Sequence, residues 1–214
     1  MVRVIAVLNQ KGGVGKTTIS TNLAVALQKD NKKILLVDSD PQGSLRDWNQ
    51  ANEGQLIHVV GLDRETLAKD IDGVKYGYDL VIIDGAPQSS KLAGAAVKAA
   101  DLVIIPVTPS PYDVWACCDL VEIIQARQEV TSGKPMCYFF ISRARKGTTL
   151  SADVEEALSG YKIPILVSRT IHREIYAKTA SDGLTVHYDT KAIEAVNEIT
   201  DFKNEILSIL NNVI

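Results

Sequence analysis

Near the start of the chain, Gln10-Lys11-Gly12-Gly13-Val14-Gly15-Lys16-Thr17-Thr18 forms a segment whose residue types and spacing suit phosphate binding. Gly12, Gly13 and Gly15 let backbone N–H groups turn inward around an anion, and a helix opening directly after the loop adds the positive potential of its N-terminus. Lys16 then reaches the β and γ phosphates of a nucleotide, and Thr17 offers a hydroxyl to Mg²⁺, while Val14 and Thr18 complete the cradle. Two later segments supply carboxylates: Val37-Asp38-Ser39-Asp40-Pro41-Gln42, and Leu80-Val81-Ile82-Ile83-Asp84 running into Gly85-Ala86-Pro87. An apolar strand that delivers an aspartate to the phosphate edge is what Mg²⁺ coordination needs, directly or through water, so Asp84 reads as a metal carboxylate. Asp38 reads as a structural or magnesium-shell group. The sequence has no Asn-Lys-x-Asp or Thr-Lys-x-Asp segment to recognise guanine, which favours ATP over GTP. The base is expected near Ser142 and Arg143, and near Pro106 to Pro109.

These residues need a scaffold that ends several strands at one edge. Seven short aliphatic runs provide it: Val2 to Leu8, Ile34 to Val37, Ile57 to Val60, Leu80 to Ile83, Leu102 to Val107, Met136 to Ile141 and Ile163 to Val167. Runs that are continuous rather than alternating belong to strands buried on both faces. Helix-length segments lie between them, at Lys16 to Lys29, Ser44 to Ala51, Arg64 to Lys69, Ser89 to Ala99, Asp113 to Val130, Ser151 to Leu158 and His172 to Ser181. Ala192 to Leu210 closes the series, with Ile193, Val196, Ile199, Ile206, Leu207 and Leu210 at helical spacing on one face. The expectation is a single α/β domain over 1–214, a mostly parallel twisted sheet with helices on both faces. Ligands of such sheets bind outside the carboxyl ends of the strands.

Composition is globular: of 214 residues, 46% are hydrophobic, 23% charged and only 6% aromatic, so the core must be aliphatic. Three cysteines, Cys117, Cys118 and Cys137, form neither a disulfide framework nor a paired metal pattern, and a buried structural role in a reducing cytosol is expected. The three histidines, His58, His172 and His187, show no metal-ligand spacing. With no export signal and no apolar run of membrane-spanning length, a cytoplasmic location is expected. Net charge is −3, yet Lys134 to Lys178 holds eight Lys or Arg against four acids. A cationic face there is one reading of that imbalance, and an ordinary solvated face is the other.

The phosphate loop departs from the ordinary pattern in two places. Gln10 replaces a leading glycine, and a second lysine stands at Lys11. This deviant Walker A form, Lys-Gly-Gly-x-Gly-Lys-Thr, resembles the ParA/MinD family of P-loop ATPases, and the resemblance runs on through Asp-x-Asp-Pro-Gln, the Asp84 segment and Pro106-Val107-Thr108-Pro109-Ser110-Pro111. It implies a Mg²⁺-dependent ATPase that forms a nucleotide-sandwich homodimer, in which Lys11 reaches the phosphates of the partner's ATP much as an arginine finger does. It also implies that Asp40 lies near the γ phosphate, positioning the attacking water or the magnesium shell. Lys11, Lys16 and Asp40 are thus the expected catalytic groups, with Thr17, Asp38, Asp40 and Asp84 around the metal.

Gln10, the Pro41-Gln42 pair and a C-terminal segment with Lys203 set against Asp201 and Glu205 favour the ParA branch over MinD, with no stable membrane binding expected. A first strand starting at Val2 leaves no room for an N-terminal helix-turn-helix, which resembles the short ParA class of plasmid partition proteins. That class implies a small centromere-binding partner protein, nonspecific DNA as a second partner, and a nucleoid-associated location. Arg173 matches a DNA-contacting arginine of ParA proteins, and Arg169 and Lys178, with Arg145 and Lys146, extend it into a candidate stripe. The alternative is a MinD-like or orphan ParA ATPase that positions a protein cargo or acts at a membrane. The cysteines do not resemble the cluster ligands of the related nitrogenase iron protein.

Overall fold

A computed structural model describes residues 2–145 and 150–211, with the side chains of 150–152 left aside. Its strands are β1 (Arg3–Val7), β2 (Ile34–Asp38), β3 (His58–Gly61), β4 (Leu80–Asp84), β5 (Leu102–Val107), β6 (Met136–Ala144) and β7 (Ile165–Ile171). They form one sheet in the order β3-β2-β4-β1-β5-β6-β7, and every neighbouring pair is parallel. The helices are α1 (Lys16–Lys29), α2 (Ser44–Ala51), α3 (Leu67–Val74), α4 (Ser90–Ala99), α5 (Pro111–Trp115), α6 (Cys118–Val130), α7 (Leu150–Ser159), α8 (Glu174–Ser181) and α9 (Ile193–Asn211). The doubly covered parallel sheet expected from the continuous aliphatic runs is therefore present.

Alternation along each strand divides the core. Val4 and Ala6 of β1, with Val81 and Ile83 of β4, face a layer built from α3, α4, α6 and α7. Ile5 and Val7, with Leu80 and Ile82, face α1, α2 and α9. Register then sets the site: Val7 pairs with Asp84, and Asp84 with Asp38, so both carboxylates end their strands side by side at the edge from which the phosphate loop leaves β1.

Four expectations need correction. The helix expected over Asp113 to Val130 is two helices, because the Cys117 N–H bonds to Val114, three residues back rather than four, and its thiol turns onto the Asp113 carbonyl at 3.2 Å. The segment expected from Arg64 becomes helical only at Leu67. Cys117 and Cys137 are buried as expected, but Cys118 is exposed. Finally, Ile193 is 67% exposed: Ile199, Ile206 and Leu210 of the anticipated row are buried and Val196 and Leu207 pack against the core, but the buried face of α9 also takes in Ala195 and Phe202 and leaves Ile193 out. At the outer edge of the sheet, Glu205 of α9 accepts from the N–H groups of Val167 and Ser168 at 2.8 and 2.9 Å, and Glu198 accepts from Ile171 at 3.1 Å. The open donors of β7 are thereby covered, which guards the edge against pairing with another strand.

Candidate nucleotide site

Gly15 caps α1 with φ +93°, and a Cβ added there would lie 3.0 Å from Ser142 Oγ, so this position needs glycine on two counts. The N-terminus of α1 has no side-chain cap, which leaves its first-turn N–H groups free to meet an anion. Lys16 is buried at the mouth of the loop and its ammonium donates to the Lys11 carbonyl at 2.9 Å. Burial lowers its pKa, against the opposing pull of Asp84 and Asp40.

Asp84 is buried, and both its oxygens are engaged by hydroxyls of α1: Thr17 Oγ1 donates at 2.6 Å and Ser20 Oγ at 3.1 Å. Desolvation pushes its pKa up to about 7, with Thr17 and Lys16 pulling the other way and Asp38 adding repulsion. A buried carboxylate held against a phosphate-loop threonine, and charged at a cost in that setting, suits a hard divalent cation. Thr17 and Asp84 are thus the residues that would hold Mg²⁺.

Asp38 has a different part. Fully buried, it accepts from Asp40 N through Oδ1 and from Arg46 N and Nε through Oδ2, at 3.0, 3.0 and 3.3 Å. Of the structural and magnesium-shell alternatives, the geometry fits the first: Asp38 organises the turn that presents Asp40. The Asp40 carboxylate accepts from Gln42 N at 2.9 Å and lines an open cavity of about 450 Å³ with Gly12, Gly13, Lys16, Thr17 and Gly85. Gly85 is a second position that needs glycine, since a Cβ there would meet Leu8 Cδ2 at 2.5 Å and the Val7 carbonyl at 2.9 Å.

Next to the phosphate cavity lies a second, more enclosed cavity of about 210 Å³, bounded by Gly15, Thr18 and Ile19 on one side and by Ser142, Arg143, Thr170, Ile171, His172 and Tyr176 on the other. Arg143 crosses between the two cavities. It adopts φ +57°, donates from its backbone N–H to Thr170 Oγ1 at 3.2 Å, and donates from Nη1 to the Gly13 carbonyl at 2.7 Å. The enclosure and its position beside α1 suit a nucleotide base, as expected for Ser142 and Arg143. Pro106 to Pro109 do not line it; the Pro106 carbonyl accepts from Asn9 Nδ2 at 2.9 Å instead. The contribution of Thr170 to Tyr176 was not anticipated, and the only signal for it was that β7 must end at the same edge.

Asp113 was not singled out either, yet it is the partner of the signature lysine. Its carboxylate, almost fully buried, pairs with Lys11 Nζ and accepts from Thr108 Oγ1, while Lys11 N donates to Asn9 Oδ1 at 2.8 Å. The candidate DNA residues are also paired. Arg173 is 23% exposed and is held by Glu198 at 2.8 Å and Glu194 at 2.6 Å, Arg169 pairs with Glu155 at 2.9 Å, and Lys178 contacts Asp189 at 3.5 Å. Arg173 also lines the smaller, more enclosed cavity. Arg145 is exposed at the end of β6, and Lys146 lies outside the described residues.

A glycine-rich loop between β1 and α1 with two strand-end aspartates beside it defines a P-loop nucleotide-binding protein. The sequence profile of the CobQ/CobB/MinD/ParA nucleotide binding domain matches residues 5–186, and the chain belongs to that family. It is similar to "Maintenance of carboxysome distribution protein A" of Halothiobacillus neapolitanus, 27% identical over 208 residues and 95% of both chains. It is also similar to "Chromosome-partitioning ATPase Soj" of Thermus thermophilus, 33% identical over 162 residues, which are 62% of this chain and 64% of Soj. Among solved structures, the ATP complex of Cyanothece McdA shares the fold with a TM-score of 0.76 at 17% identity, covering 97% of this chain and 96% of that one.

Proposed function

We propose that the chain is an ATP-hydrolysing positioning switch whose cargo is a protein assembly. Lys16 and the N-terminus of α1 hold the phosphates, and Thr17 and Asp84 hold Mg²⁺, which when bound neutralises charge on the β and γ phosphates. Asp40, presented by the Asp38 turn, orients the attacking water, and Lys11, released from Asp113, completes the site of a second copy in an ATP-dependent homodimer. A small partner protein stimulates hydrolysis and resets the monomers.

The observation that carries the choice of cargo is the end-to-end similarity to a carboxysome distribution protein, whereas the similarity to Soj spans under two thirds of either chain. The paired state of Arg169, Arg173 and Lys178 supports the same choice, because a cation already neutralised by a carboxylate contributes little to phosphate binding. DNA partition is the second reading, supported by the identity to Soj and by the Asp-x-Asp-Pro-Gln segment. Deleting the gene in the source cell and following both large protein assemblies and plasmids by fluorescence separates the two. Clustered assemblies with unchanged plasmid retention are expected; faster plasmid loss with evenly spaced assemblies would put partition first.

A further inference from the structure

Several cations that pair with no acid among the described residues gather in one place. On the layer formed by α3, α4 and α6, an open groove of about 330 Å³ is lined by Lys69, Lys75, Lys98 and Arg127 over a floor that includes Val4. Asp72 is the one acid among its lining residues, and it is taken by Lys75. Among the described residues, the side chains of Lys69, Lys98 and Arg127 make no ion pair or hydrogen bond, although Arg127 is half-buried. A chain of net charge −3 thus gathers four cations around one carboxylate.

Helix dipoles explain part of this cluster. Lys98 and Arg127 stand in the last turns of α4 and α6, where a cation is favoured. Lys69 stands in the first turn of α3, where the dipole favours an anion, so its place on the rim needs another cause. The groove also lies apart from the nucleotide: it touches β1 at Val4, near the end of the strand opposite the phosphate loop, and a five-residue strand is about 16 Å long.

We propose that this groove is a second anion site, for a compact ligand carrying two or more linked phosphates. Lys69 and Lys75 are six residues apart on and just after α3, about 9 Å along a helix, which is wider than one phosphate group and suits a short polyphosphate chain. Arg127 is half-buried, so it is reached more readily by a ligand that enters the groove than by the broad convex surface of a duplex. Its planar fork suits bidentate phosphate contact, with the lysines supplying point charges around it. The site makes no use of the cargo assignment, and its failure would leave the nucleotide site untouched.

Tripolyphosphate is the probe, titrated by calorimetry into the full chain already saturated with ADP, so that the phosphate loop is closed to it. One further equivalent should bind. Each charge-assisted contact is worth about 1.5–3 kcal/mol, so Arg127→Gln and Lys98→Gln should each weaken binding about tenfold or more while leaving ADP affinity and melting temperature unchanged. Lys16→Ala, which removes the phosphate-loop cation, should retain the groove signal. No uptake by the ADP-saturated wild type, or equal affinity in both groove variants, overturns the proposal. So does displacement by duplex DNA at equal phosphate concentration, which would give the groove to a nucleic-acid backbone.

Discussion

Replacing Asp113 by Asn tests how the signature lysine is held. Asparagine keeps the volume and can still accept from Thr108, but it removes the charge that pairs with Lys11. The Asp113 side chain is 3% exposed and that of Lys11 is 39% exposed, so the pair is partly solvated and its worth is discounted toward that of a surface ion pair, to about 1 kcal/mol. If each copy must give up this pair before Lys11 can reach its partner's nucleotide, a dimer gives up two, and Asp113→Asn should favour association by about 2 kcal/mol, roughly thirtyfold in the dimer dissociation constant. Sedimentation velocity with a non-hydrolysable ATP analogue, over a range of protein concentrations, reads that constant directly. A midpoint that is unmoved or shifted to higher concentration, in a variant whose melting temperature is intact, would show that Asp113 does not restrain Lys11.

The site makes further predictions. Asp40→Ala should bind Mg-ATP and associate, yet hydrolyse at least tenfold more slowly, because only the group by the attacking water is lost; phosphate release assays at saturating ATP check this. Gly85→Ala should destabilise the fold by about 1–3 kcal/mol and weaken Mg²⁺ binding, since a Cβ forced against the Val7 carbonyl displaces Asp84, and urea melts with and without magnesium would show both effects. Burial lowers the His187 pKa to about 4, helped by Lys29 and Lys203, so the fold favours its neutral form. The stability contributed is complete above the unfolded value near 6.5 and is lost as pH falls from there toward 4. Asp84, with its raised pKa, titrates with the opposite sign in part of this range, so the readout is the difference in melting temperature between wild type and His187→Gln, which should narrow between pH 7.5 and pH 5.

Local signals carried far in this chain. The glycine loop followed by a helix former run placed α1 at Lys16–Lys29, and the bounded apolar run Leu102–Val107 placed β5, because both are delimited by residues whose backbone preferences are strong. Asp84 could be picked out for the same reason, since it ends an apolar strand, whereas Asp40 lies two residues beyond the end of β2 and was singled out only through the family resemblance. Partners across the fold were not legible. Glu194 and Glu198, which hold Arg173, come from α9, and Glu155, which holds Arg169, comes from α7, so a count of basic residues in one stretch of sequence could not show that they are matched. Asp113 was hidden in the same way, since its meeting with Lys11 spans 102 positions and depends on β1 and β5 lying side by side. The break between α5 and α6 turns on a single thiol and carbonyl, below the resolution of any periodicity.

On the proposed function, Lys16 and the uncapped start of α1 hold the phosphates of Mg-ATP. Calorimetric titration of Mg-ATP into wild type and Lys16→Ala tests it most directly. Loss of the buried ammonium, the main cationic contact with the phosphates, should weaken binding at least a hundredfold, which corresponds to about 2.7 kcal/mol. Equal affinity in the two proteins would place Mg-ATP away from Lys16.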